Sequence, residues 1–183
     1  KMPLIGMHNV MNALAAMTVA EKMGVSDKDI ETAFAEVRLT EKRQEILRFG
    51  DITVINDAYN ASPASMEAAM KTLAEVKKSA GAGRSIAVLA DMLELGESSE
   101  EAHRRVGDYI VRENIDFVIA YGKESRAIID QAAKSGISAA YCADKEEAAI
   151  ELKKHMQNND IILFKGSHSM QVDKIIEMVF QNK

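Results

Sequence analysis

Short runs of aliphatic and β-branched residues recur along this chain. Each ends in a polar loop, and most lead into a helical pattern. The runs are Ile52–Asn56, Ser85–Ala90, Phe117–Tyr121, a weaker one at Ala139–Cys142, and Ile161–Phe164. Helices of roughly ten to fifteen residues between such runs imply crossover connections and therefore a parallel sheet. Ahead of the first run, Gln44–Phe49 is also strand-like, and only Gly50-Asp51 separates the two. A two-residue Gly-X loop there predicts a hairpin, so the sheet should begin with an antiparallel edge strand. The expected fold is α/β: a doubly wound, Rossmann-like, mostly parallel six-stranded sheet, preceded by two helices.

The helices carry their own punctuation. Met7 to about Met23 has an apolar stripe through Val10, Ala13, Leu14 and Met17, with Gly24 as its stop. Ser26 precedes Asp29 as a weak capping box, opening a second helix to about Val37. The polar segment 39–44 reads as a connector, and the one boundary falls near Thr40. Ser62-Pro63 opens a helix to about Lys78, with Met66, Ala69, Met70 and Leu73 inward. Ser98 or Ser99 is positioned to cap the next helix, through about Glu113. Helices at Ser125–Lys134, from Asp144 to about Met156, and a last one to Phe180 complete the pattern.

The chemistry of the chain is narrowed by what it contains. A net charge of −5 argues against nucleic acid as the main partner, since phosphate binding needs a basic surface. A single cysteine, Cys142, excludes an internal disulfide framework and fits a reducing, cytoplasmic setting. No apolar run approaches the roughly 18 residues of a membrane span, and no signal-peptide pattern opens the sequence. No Gly-x-x-x-x-Gly-Lys-Ser/Thr loop, His-Glu-x-x-His or Gly-x-Ser-x-Gly frame occurs, and Gly81-Ala82-Gly83 precedes a strand instead of following one. Neither a metal site nor a catalytic nucleophile is expected among these residues. The four histidines are scattered.

Three strand ends carry polar groups: Asp57–Asn60, Asp91, and Lys165-Gly166-Ser167. In a doubly wound sheet such ends share one rim, where ligands bind. Lys165 supplies a cation, and the backbone after it could offer N–H donors to an anion. Asn and Asp also make turns for their own sake, so each loop has a purely structural explanation as well. Asn9 and Asn12, three apart near a helix start, either read a flat heterocycle with their carboxamides or divide into a helix cap and a solvated side chain. Arg43 either contacts a phosphate with its fork of donors or is an ordinary surface arginine.

Four strings taken together resemble the Mur ligase family, over essentially the whole chain. They are Gly6-x-His8-Asn9-x-x-Asn12-Ala13-x-Ala15-Ala16, Asn56-Asp57-Ala58-Tyr59-Asn60-Ala61-Ser62-Pro63-x-Ser65-Met66, Ala87–Gly96, and Lys165-Gly166-Ser167-His168-Ser169-Met170. The last three are most similar to the members that add D-alanyl-D-alanine to UDP-N-acetylmuramoyl-tripeptide (UDP-MurNAc-tripeptide) in peptidoglycan synthesis. The resemblance implies that residues 1–40 end a central ATP-binding domain and that 41–183 form the mobile C-terminal domain. It implies ATP-dependent phosphorylation of a carboxylate, followed by amine attack on the acyl phosphate. By the same resemblance Asn9 and Asn12 contact adenine, Arg43 the phosphates and Asp57 the ribose, with Tyr59 and Asn60 lining that cleft. Asp91, Lys165 and Ser167 are candidates for the dipeptide side. ATP and Mg²⁺ are the implied cofactors. The phosphate loop, the Mg²⁺ ligands and the UDP-sugar domain are expected to precede Lys1, so the chain alone should be inactive. A monomer is expected. The rivals are a Mur-type ligase for another amino acid and a non-catalytic nucleotide- or partner-binding α/β module. The sequence departs from the family pattern at Ala90, where glycine is usual, at Lys42, where a small or apolar residue is commoner, and at His168, where arginine is frequent.

Overall fold

The structure is a computed structural model and describes residues 6–37 and 42–181, with the backbone alone for His8. The chain divides into two compact units, Lys1–Thr40 and Glu41–Lys183. The expected connector positions 39–41 lie outside the described residues.

The first unit is a pair of helices, α1 (Met7–Lys22) and α2 (Asp27–Glu36). α1 ends in a Schellman motif. Gly24 takes φ +80°, its N–H donates to the Glu21 carbonyl, and the Val25 N–H donates to the Ala20 carbonyl. Ser26 caps α2 as its spacing predicts: its Oγ accepts from the Asp29 N–H at 3.3 Å and donates to Asp29 Oδ2 at 2.7 Å. The start of α1 differs from one of the two readings of Asn9. Gly6, at φ +89°, occupies the cap, and Asn9 sits three residues in with its N–H on the Gly6 carbonyl. Asn9 is therefore not the cap. It is buried, while Asn12 is exposed.

The second unit is a six-stranded sheet in the order β1-β2-β6-β3-β4-β5. The strands are β1 (Glu45–Phe49), β2 (Ile52–Asn56), β3 (Ser85–Ala90), β4 (Phe117–Tyr121), β5 (Ser138–Cys142) and β6 (Ile161–Lys165). β1 and β2 pair antiparallel through the Gly50-Asp51 turn, and every other pairing is parallel. The doubly wound, mostly parallel reading therefore holds, edge strand included.

Side chains alternate across each strand and build one core on either face. Ile55, Ala87, Leu89, Val118, Ala120 and Leu163 pack under α3 (Pro63–Ala80), α4 (Ser99–Arg112) and α5 (Arg126–Lys134). Val54, Ile86, Val88, Ile119, Ile162 and Phe164 pack against α6 (Lys145–His155) and α7 (Asp173–Ile176). Met66, Ala69, Met70 and Leu73 of α3 all point inward. Ser62 and Ser65 form a reciprocal capping box at its start, with Pro63 in the first turn and Gly81 left-handed at its end.

Two helix ends depart from the sequence reading. Ser98 occupies the position before α4, but its Oγ donates back to the Leu95 carbonyl at 2.8 Å, and the Ser99 Oγ donates to Glu124 Oε2. Neither hydroxyl caps the helix, because a 3₁₀ turn at Gly96–Ser98 feeds straight into it. The final helix reaches past Phe180 as expected but changes type on the way: α7 spans Asp173–Ile176 and continues as a π-helix over Glu177–Gln181.

Candidate functional site

The strand order decides where the polar loops meet. β6, late in the chain, is inserted between β2 and β3, with Asn56 opposite Phe164 and Leu89 opposite Lys165. The loops leaving β2, β6 and β3 therefore emerge side by side at the carboxyl edge of the sheet, the usual ligand edge of such folds. Between them lies a cleft of about 670 Å³, floored and walled by Tyr59–Ser62, Leu93–Leu95 and Ser167–Ser169.

The β2 loop is held from beneath by Lys165. Its ammonium donates to Asp57 Oδ2 at 2.7 Å, to the Asn60 carbonyl at 3.0 Å and to the Asp57 carbonyl at 3.4 Å. These bonds account for all three of its donors. The pair is secluded, with Lys165 2% and Asp57 13% exposed. Asp57 Oδ1 also accepts from the Gln44 N–H at 3.2 Å, which fastens the β2 loop to the segment entering β1. The same segment is fixed again by the Tyr59 N–H on the Lys42 carbonyl and by an ion pair from Lys42 to Asp173 at 2.9 Å. Lys42 thus ties this segment to both the β2 loop and Asp173.

At the outer rim the Arg43 guanidinium lies 3.9 Å from the centre of the Tyr59 ring. The His168 ring centroid lies 6.3 Å from that of Tyr59, tilted by 51°. Tyr59, Asn60 and His168 are exposed at the cleft. Asn60 shapes its loop too, accepting the Ala61 N–H on Oδ1 at 2.9 Å. Arg43, Asp57, Tyr59 and Asn60 are therefore brought together on one rim. Asn9 and Asn12 belong to the helical unit.

The other candidates stand behind the cleft wall. Asp91 is buried and turned sideways, with Oδ1 accepting the Ser125 N–H at 2.7 Å at the start of α5. Its carboxylate occupies space left by Gly122, where a Cβ would stand 2.4 Å from Oδ1. Its carbonyl accepts the Ser167 N–H at 3.0 Å. Ser167 Oγ in turn accepts the Leu93 N–H at 2.9 Å and so joins the β6 loop to the β3 loop. Of Asp91, Lys165 and Ser167, only Ser167 lines the cleft. Gly166 is required by Ala90: a Cβ on Gly166 would lie 2.8 Å from the Ala90 Cβ and 2.6 Å from Val172 Cγ2. The Ala90 methyl group is accommodated by that missing side chain.

One residue of this edge escaped the sequence reading. His103, on α4, is fully buried and accepts the Met92 N–H on Nε2 at 2.9 Å. Its Nδ1 lies 2.8 Å from the Ser99 carbonyl. A histidine four residues after a serine on an amphipathic helix gives no sign in sequence of gripping a distant loop. Among the described residues, no group of three or more His, Cys, Asp or Glu side chains could hold a metal ion, and no helix is long and apolar enough to cross a membrane.

The family model for "Mur ligase, glutamate ligase domain" matches residues 38–168. The UDP-N-acetylmuramoyl-tripeptide–D-alanyl-D-alanine ligase of Bacillus subtilis is 33% identical over 183 residues, 98% of this chain and 39% of that protein. The enzyme of the same name from Escherichia coli is 32% identical over 99% of this chain and 39% of its own length. A crystal structure of MurF from Acinetobacter baumannii superposes with a TM-score of 0.87 at 28% identity, covering 99% of this chain and 39% of that one. MurF ligase from Thermotoga maritima, solved in complex with ADP, gives a TM-score of 0.79 over 97% of this chain and 39% of that one. At 23% identity it speaks for the fold alone. The chain thus spans about two-fifths of the length of these relatives.

Proposed function

Because the chain belongs to the Mur ligase family and carries that family's C-terminal domain, we propose that it is the C-terminal lobe of an ATP-dependent ligase. That ligase joins D-alanyl-D-alanine to UDP-MurNAc-tripeptide in peptidoglycan synthesis. Relatives bearing that activity in their names match nearly the whole chain, at 33% and 32% identity for the two quoted. On this reading residues 1–40 are the end of the central ATP-binding domain and 41–183 the lobe that closes on it.

The observation that carries the reading is the convergence of the β2, β3 and β6 loops on one cleft. Asn9 and Asn12 are assigned to adenine and Arg43 to the nucleotide phosphates. Asp57 is assigned to the ribose, with Tyr59 and Asn60 beside it. Asp57 suits this role. One oxygen is held by Lys165 and the other by the Gln44 N–H, which leaves each oxygen a further lone pair for a hydroxyl. On the dipeptide side, Ser167 faces the cleft, and Asp91 and Lys165 act by fixing the loops around it. The ATP-bound Mg²⁺ is assigned to other parts of the ligase. Closure of the lobe would bring the dipeptide amine to the acyl phosphate and exclude water. The amine forms the amide bond, the phosphate leaves with the bonding pair, and the amine's proton is released. We further propose a cytoplasmic monomer.

The test is phosphate release by the full-length protein with ATP, Mg²⁺ and UDP-MurNAc-tripeptide, with and without D-alanyl-D-alanine. Release that requires the dipeptide is expected, and none is expected from the isolated chain. Release with single amino acids instead would identify a Mur-type ligase of another specificity. No release under any of these conditions would point to a binding module.

A further inference from the structure

The loop from Met92 to Leu95 forms one wall of the cleft, and two successive N–H groups hold it. The Leu93 N–H goes to Ser167 Oγ, across the cleft floor. The Met92 N–H goes inward to His103 Nε2 at 2.9 Å. Immediately beyond them Glu94 adopts φ +66°, a conformation that a non-glycine residue keeps only when its surroundings enforce it. Leu93 is left 41% exposed at the cleft. An apolar side chain facing a binding cleft, on a strained loop, depends on its anchors to stay in place.

We propose that His103 is a positioning residue for the acceptor substrate. Through the Met92 amide it sets the Leu93–Leu95 wall against which the incoming dipeptide packs. The inference rests on the function proposed above. Its proton arrangement follows from its neighbours. Nδ1 donates to the Ser99 carbonyl at 2.8 Å, so the neutral ring presents a lone pair on Nε2 to the Met92 N–H. Ser99 Oγ lies 3.4 Å from Nδ1 and donates to Glu124 Oε2, which completes the polar groups around that side of the ring.

Two substitutions separate positioning from bulk packing. His103→Gln keeps an acceptor at the reach of Nε2. His103→Asn keeps a donor near Nδ1 for the Ser99 carbonyl but nothing that reaches Met92. In the full-length ligase, His103→Asn is expected to raise the KM for D-alanyl-D-alanine about tenfold. The KM values for ATP and the UDP-tripeptide, and kcat, should stay within about twofold. His103→Gln should restore the dipeptide KM to near its wild-type value. Amide exchange read on a peptide spanning Met92 should accelerate in the Asn variant and not in the Gln variant. Equal behaviour of the two variants, or ATP and dipeptide KM values rising together, would overturn the proposal. So would unchanged exchange at Met92 in His103→Asn. If the wild-type protein shows no dipeptide-dependent turnover, the proposed function fails, and the exchange experiment still decides whether His103 holds the loop.

Discussion

Replacing Lys165 with methionine removes the three hydrogen bonds that tether the β2 loop while keeping most of the side-chain volume. The Asn60 carbonyl loses its ammonium donor, and Asp57 is left with the Gln44 N–H. Breaking a secluded ion pair by deleting one partner costs about 3–5 kcal/mol, because the remaining charge stays desolvated. Asp57 keeps 13% exposure, so water recovers part of that cost and the lower end applies, about 3 kcal/mol. For a domain of this size each kcal/mol lowers Tm by about 3 °C, so a fall of about 9 °C is expected. Calorimetry of Lys165→Met beside Asp57→Asn and the double variant would measure it. The double variant should be more stable than the sum of the two single losses implies, by at least about 1 kcal/mol, because it leaves no unpaired charge. A Lys165→Met protein within about 0.5 kcal/mol of wild type, or strictly additive losses, would refute the view that this pair holds the loop.

Gly122→Ala would place a methyl group against the Asp91 carboxylate at a residue with φ +102°. A loss of about 3 kcal/mol is expected in chemical denaturation, together with faster amide exchange at Ser125. Burial pushes the Cys142 thiol up to about 11, so the native protein should resist maleimide at pH 8 and react at once in denaturant. Burial opposes ionisation of Asp116, but hydrogen bonds from Lys77 and Ser85 outweigh it and hold the carboxyl below its usual range. The stability this contributes is therefore full above the unfolded value of about 4 and is lost as pH falls through the lower folded value. Asp116→Asn should make the denaturation midpoint less sensitive to pH across that acid interval.

Much of this architecture is legible locally. The Ser62-Pro63 opening, the Gly50-Asp51 hairpin and the inward face of α3 each follow from a few adjacent residues whose physics does not depend on the rest. The shared rim is legible too, because parallel crossovers put all strand ends of one sense together. The placement of β6 between β2 and β3 is not. It is fixed by pairing between residues far apart in sequence, and β2, β3, β4 and β6 are all apolar enough to occupy the centre. The roles of Asp91 and His103 were hidden for the same reason, since their partners Ser125 and Met92 are defined only once α4 and α5 have packed. Local signals misled at Ser98, where a hydroxyl suited to capping turns back on its own 3₁₀ turn.

The insertion of β6 also orders events during synthesis. β2 and β3 are synthesised well before the strand that joins them: Lys165 is 108 residues beyond the Asp57 it finally grips. Until then each carries a bare apolar edge, able to pair with a neighbouring chain. Late, non-local closure of this kind makes folding slow for its stability. The β2, β3 and β6 walls of the cleft can stand side by side only once residues 161–165 have paired with both neighbours.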